Sequence, residues 1–96
     1  MIVSFGDKRT EDLFHGHQSV RLRGFSRDLQ KTALRKLDML NASSSLLELS
    51  SPPSNHLELL KGDMRGRYSI RINNQWRLVF RFEESNAYEV EITDYH

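Results

Sequence analysis

The chain has 96 residues, 38% of them hydrophobic, with no cysteine and with 14 Lys and Arg against 13 Asp and Glu, for a formal net charge of +1. That length suits one small domain spanning residues 1–96, the lack of cysteine excludes disulfides and thiolate metal sites, and the near-balance of charge excludes polyanion binding driven by bulk charge. No apolar run reaches the length of a signal peptide or a membrane span, so a cytoplasmic protein without membrane contact is expected.

In chain order, the β-branched and aromatic run Met1–Phe5 predicts a first strand. Asp7 is placed to cap a short helix that runs through Leu13 and Phe14 and stops at Gly16. Ser26 caps the longest helix, whose Leu29, Ala33, Leu34, Leu37 and Leu40 repeat at three-four spacing and make one buried stripe. Asn41 and Ser43–Ser45 end it, Leu46, Leu47 and Leu49 suit a packed helical turn, and the prolines of Ser50–Asn55 enforce a loop. Four strands follow, at Leu57–Leu60, Arg67–Ile72, Trp76–Phe82 and Ala87–Thr93. Together these elements predict an α+β fold in which two N-terminal helices pack on a small, twisted, mainly antiparallel sheet, with the first strand added at its edge.

Between Lys61 and Arg81 lie six cations (Lys61, Arg65, Arg67, Arg71, Arg77, Arg81) and one acid, Asp63. The rest of the chain cancels this excess, which makes it a shaped field instead of a solubility device. Apolar residues alternate with the cations at period two: Tyr68, Ile70, Ile72, then Trp76, Leu78, Phe80, Phe82. Alternation of this kind gives strands one greasy face and one charged face. Asn73 and Asn74 tolerate positive φ and mark the hairpin turn. A two-residue turn there would set Ile70 opposite Arg77 and mix the faces. A three-residue loop, Asn73–Gln75, keeps them apart and sets Arg71 beside Arg77. Such a like-charge pair costs up to ~1 kcal/mol. It is either a clamp for phosphate or a solvated outer face.

The C-terminal Thr93-Asp94-Tyr95-His96 continues a strand. It is either a frayed end or a functional tail in which His96 moves protons, Tyr95 stacks a base and Asp94 orients the imidazole. His15 and His17 lack carboxylates at metal-ligand spacing, so no metal and no cofactor is expected. Arg21, Arg23, Arg27, Lys31, Arg35 and Lys36 form a second basic zone, either the solvated face of the long helix or a seat for a polyanion.

Leu60-Lys-Gly-Asp63, the run Gly66 to Ile72, Asn73 to Arg77 and the terminal Asp94-Tyr95-His96 resemble, over nearly the whole chain, the HigB toxins of the RelE-like group of bacterial toxin–antitoxin systems. The resemblance implies a fold like that of microbial ribonucleases. It also implies cleavage of messenger RNA on the translating ribosome, inhibition by a helix-turn-helix antitoxin (HigA-like), and a complex made oligomeric through that antitoxin. By the same resemblance Lys61, Arg77, Asp94, Tyr95 and His96 carry catalysis, and Arg71 is a basic strand position that contacts RNA. Arg65, Arg67 and Tyr68 complete the expected RNA-binding surface. Some members have a histidine three residues before the lysine. Here Glu58 stands there and His56 lies two residues upstream. Either His56 substitutes, or acid–base work falls on Glu58 and His96.

A metal-free ribonuclease must deprotonate the 2′-OH, neutralise the pentavalent phosphate and protonate the leaving 5′-oxygen. The candidates above supply groups for each step. The rival reading is a binding module that grips RNA or the ribosome through its arginines without cutting. No helix-turn-helix spacing supports a repressor.

Overall fold

A computed structural model describes residues 1–94, so Tyr95 and His96 lie outside the described residues. Helix α1 spans Lys8–Phe14, α2 Arg27–Ala42 and α3 Leu46–Leu49, with short 3-10 turns at Val20–Leu22, Pro53–Asn55 and Gly62–Met64. Strands β1 (Glu58–Leu59), β2 (Tyr68–Arg71), β3 (Trp76–Glu83) and β4 (Asn86–Asp94) form an antiparallel meander in the order β1-β2-β3-β4. The α+β plan expected from the sequence is the one observed.

The caps behave as their residue types dictate. Asp7 Oδ1 accepts the Thr10 N–H at 2.9 Å, and Gly16 leaves α1 at φ +74°. Ser26 Oγ accepts the Leu29 N–H at 3.1 Å at the start of α2. The α2 stripe buries Leu29, Ala33, Leu37 and Leu40, while Leu34 stays half-buried at the stripe's margin. This stripe meets Ile70, Ile72, Leu78, Phe80, Val90 and Ile92 of the sheet, with Leu13, Leu22, Phe25 and Leu49 closing the core. Each such side chain contributes on the order of 1.5–3 kcal/mol by leaving water. Arg9 ties α1 to this core, with its guanidinium 4.3 Å above the Phe25 ring and donating to the Ile92 carbonyl.

The β2–β3 hairpin has the three-residue loop that face homogeneity requires. Arg71 is the cross-strand partner of Arg77, and the Ile72 N–H donates to the Trp76 carbonyl at 2.9 Å. Its cause differs from expectation, since neither Asn73 nor Asn74 takes positive φ. Instead Asn73 Oδ1 accepts the N–H groups of Gln75 and Trp76, both at 2.8 Å, and so closes the turn with a side chain.

The expected first strand, Met1–Phe5, is reduced to two isolated parallel bridges, Ile2 to Ala87 and Phe5 to Val90. The reason lies in β4. Its register against β3 shifts between Val79 and Arg81, and Glu89 sits there at φ +53°. A bulge breaks the regular spacing of edge groups, so the N-terminal residues pair on either side of it. Ser4 Oγ accepts the Glu89 N–H at 2.9 Å across the gap.

Candidate functional site

The sheet face turned away from α2 is organised in three rows. Register places Arg71, Arg77 and Thr93 side by side across β2, β3 and β4. The next row holds Glu58, Ser69, Val79 and Glu91. Beyond the bulge, Arg67, Arg81 and Glu89 gather in a third.

Arg77 is the centre of the first row. Its side chain is only 11% exposed, because it lies along the sheet toward β1 and not out into water. Its Nε donates to Ser69 Oγ at 2.9 Å, a terminal nitrogen donates to the His56 carbonyl, and the other lies 3.7 Å from Glu58 Oε1. A planar guanidinium held this way loses little rotamer freedom when an anion arrives. Beside it, Arg71 donates to the side-chain oxygen of Asn74 at the hairpin tip. Two guanidinium groups thus share one end of the face, and Glu58 is the carboxylate paired with the inner one.

His56 does not sit on a strand. It ends the Pro53–Asn55 turn in the left-handed region, φ +47°, two residues before β1 begins. Side-chain alternation therefore does not place its imidazole, and what it brings to Arg77 is its carbonyl. Lys61 is exposed and opens the Gly62–Met64 turn, with Gly62 at φ +68° giving the backbone its reversal. Arg65 follows the same turn and is also exposed. Arg67 donates to Glu89 Oε2 at 3.2 Å. Tyr68 lies on the opposite face, its ring stacked on Phe80 with centroids 6.3 Å apart, and packs against the core. Asp94 ends β4 opposite Trp76 and accepts from Gln75 Nε2 at 3.2 Å. Tyr95 and His96, the remaining tail residues, fall outside the described residues.

The structure thus gathers Arg77, Arg71, Glu58 and the His56 backbone. It sets Arg67 at the far row and Tyr68 on the other face. Sequence reading passed over Ser69, fully buried and bonded to Arg77, and Thr93, Arg77's neighbour on β4. Alternation held the signal for both, since each shares the parity of the arginines. It also passed over Glu89, which accepts from Arg81 Nε at 2.7 Å as well as from Arg67. The hydrogen bond and charge of Arg81, joined by the charge of Arg67, hold the Glu89 carboxyl below the usual range, and Glu89 in turn raises Arg81.

Comparison with known proteins agrees with this architecture. A family model described as the RelE-like toxin of the type II toxin–antitoxin system HigB matches residues 3–96. Toxin HigB-1 of Vibrio cholerae serotype O1 is 33% identical over 87 residues, covering 91% of this chain and 90% of that protein. An endoribonuclease HigB of Proteus vulgaris is 42% identical over 40 residues, 42% of this chain and 44% of that protein. An uncharacterized protein of Haemophilus influenzae is 48% identical over 60 residues, 62% of this chain and 59% of that protein's length. Among solved structures, the YoeB–YefM complex from Staphylococcus aureus superposes with a TM-score of 0.54 at 17% identity, covering 100% of this chain and 98% of that one. A YoeB/ParE toxin from Agrobacterium tumefaciens gives 0.55 at 18% identity, covering 99% and 98%. These two likenesses speak for the fold. The family match over nearly the full length settles the rest: this chain belongs to the HigB family of RelE-like toxins of type II toxin–antitoxin systems.

Proposed function

We propose that the protein is a ribosome-dependent endoribonuclease that cuts messenger RNA during translation by attack of the RNA's own 2′-OH, without a metal. One observation carries the reading: Arg77 is held nearly buried by Ser69, His56 and Glu58 on a sheet face where Arg71 is its direct neighbour. Donors fixed before the reaction stabilise charge that builds in the transition state most effectively.

In this scheme Arg77 and Arg71 hold the non-bridging oxygens of the scissile phosphate, and Lys61 adds charge from the neighbouring turn. The 2′-oxygen bonds to phosphorus while the bond from phosphorus to the 5′-oxygen breaks. The 2′-OH proton passes to one of Glu58 and the His96 imidazole, acting as base, and the leaving 5′-oxygen takes its proton from the other, acting as acid. The products are a 2′,3′-cyclic phosphate and a 5′-hydroxyl. Asp94 and Tyr95 orient the imidazole and the flanking base. Arginine and lysine are poor proton acceptors near neutral pH, so alignment of the RNA by the ribosome supplies much of the rate. Naked RNA is then cut slowly.

The partner follows from the family: a cognate helix-turn-helix antitoxin that holds the toxin inactive. The YoeB toxin of Staphylococcus aureus, solved together with the YefM antitoxin, supports an antitoxin as partner. The protein works where translation occurs, in the cytoplasm. None of its described helices is long and apolar enough to cross a membrane.

The deciding experiment adds the purified chain to a translating extract, with and without chelator, and maps RNA ends by primer extension. Codon-aligned ends that persist in chelator and vanish with Arg77→Ala are expected. No ends under any condition, with ribosome binding retained, would favour a non-cutting RNA-binding module.

A further inference from the structure

Where the β2–β3 hairpin approaches α2, the two border an open cavity of about 390 Å³. Its polar lining is Thr32, Arg35 and Lys36 from α2, Ser54 from the proline turn, and Arg71 and Asn73 from the hairpin. Three of these six residues are cations and none is an acid. Among the described residues, no carboxylate lies within ion-pair distance of Arg35, Lys36 or Arg71.

Lys36 is the unusual member. Its Nζ donates to Asn55 Oδ1 at 2.6 Å, and Asn55 is fully buried, its amide donating to the Leu49 carbonyl at 3.1 Å. The ammonium is thus drawn down onto the protein instead of spread into solvent. Burial lowers its pKa, and the charge of Arg35 lowers it further. A fold that holds a partly desolvated cation beside two like charges gains when an anion enters. Asn73 spends its carboxamide oxygen on the turn, which leaves its NH₂ as a donor, and Ser54 adds a hydroxyl.

We propose that this cavity binds a second phosphate of the RNA strand, next to the one held by Arg77. Arg71 joins the two places: it is the cross-strand partner of Arg77, and it is also among the residues that line the cavity. A strand whose scissile phosphate rests on Arg77 passes Arg71 and sets a neighbouring phosphate among Lys36, Arg35 and Ser54. A single-stranded polyanion fits better than an isolated anion, because two cationic sites share one residue. The second basic zone of the sequence thereby divides. Arg35 and Lys36 belong to the RNA path, while Lys31, one turn earlier on α2, lies outside the cavity.

The choice of ligand rests on the ribonuclease reading, and the test keeps the two apart by measuring binding without cleavage. A short fluorescein-labelled single-stranded 2′-O-methyl RNA, which cannot be cut by its own 2′-oxygen, is titrated with the full chain over a range of salt. Arg35→Gln/Lys36→Gln is expected to weaken binding about tenfold, as loss of a charged hydrogen-bonding site does. It is also expected to flatten the log affinity against log salt slope by about 0.7, one phosphate of a single strand. Arg35→Gln alone, at an exposed position that leaves Asn55 paired, moves both in the same direction. Lys31→Gln changes neither by a comparable amount.

Equal effects from Lys31→Gln and Arg35→Gln would mean a diffuse field and overturn the proposal. So would an unchanged slope in the double variant, or failure of the unaltered chain to bind. Loss of antitoxin binding with RNA binding intact would make the cavity a protein interface, and the proposal would fall. Cleavage that persists with an unchanged slope removes the cavity and leaves the ribonuclease. Absent cleavage with the expected slope change does the reverse.

Discussion

The two ends of one sheet face carry similar charge and put it to different use. At one end Arg67 and Arg81 converge on Glu89, with oxygen–nitrogen distances of 3.2 and 2.7 Å. Those guanidinium groups are spent on a carboxylate that holds the bulge together. At the other end Arg71 and Arg77 stand as cross-strand neighbours, and Arg77 reaches a hydroxyl, a carbonyl and, at 3.7 Å, the more exposed Glu58. Identical residue types at identical spacing therefore give a structural clasp in one place and, on the reading proposed above, a seat for an anion in the other. What separates them is where an acid falls on the neighbouring strand, which a count of charges along the chain does not reveal.

The contrast breaks most sharply at Arg77. Arg77→Ala is expected to lower ribosome-dependent cleavage by about 10²–10³-fold, the scale of losing a preorganised donor to a developing anion, read by primer extension. It also strands the buried Ser69 hydroxyl. Arg77→Lys keeps the charge but not the fork, and should recover only a small part of the activity.

Glu58→Gln and His96→Gln sharpen the same end. Loss of a general base costs about 10²–10⁴-fold. The variant that also flattens the acidic limb of the pH–rate profile identifies the acceptor of the 2′-OH proton.

Glu89→Gln probes the other end. It releases Arg67 and Arg81 from their shared carboxylate, so non-specific affinity for single-stranded RNA should rise and grow more salt-dependent. Cleavage sites should not change. Anisotropy titrations and primer extension on the same samples check both statements.

The smallest effect is on acid stability. The folded Glu89 carboxyl titrates below its ordinary value of 4.5 because Arg81 and Arg67 favour the charged form. Its contribution is whole above pH 4.5 and disappears as pH falls through the lower folded value. Asp12 and Glu48 are depressed in the same direction, so Glu89→Gln should remove only part of the acid limb of thermal stability. Melting curves between neutral pH and pH 3 would show a shallower decline for the variant.

Much of this fold is legible in local chemistry. Asp7 and Ser26 cap helices because a side-chain oxygen ahead of an amphipathic run has little else to bond, and both do so here. The register that pairs Arg71 with Arg77 follows from keeping apolar residues on one face. The unreadable parts are those that depend on residues distant in sequence. Glu89 adopts positive φ because Ser4 and two arginines hold it there, and nothing in its own neighbourhood asks for a bulge. His56 turns left-handed at the end of a proline turn, so strand periodicity does not extend back to it, and its carbonyl meets Arg77. Tyr68 has the alternation of a core residue and the look of a base-stacking one, and its ring lies against Phe80 on the face opposite the arginines.

The parallel pairing of the first residues with β4 has a practical corollary. The Met1 ammonium donates to the Ser85 carbonyl at the β3–β4 turn, and β4 then runs to Asp94 beside the first row. Glu83 lies six residue steps along β3 from Arg77, about 20 Å at 3.3 Å per residue. A purification tag or fluorophore joined ahead of Met1 therefore emerges at the rim remote from Arg71 and Arg77 and leaves that pair uncovered. The amino end is the place to hang a handle.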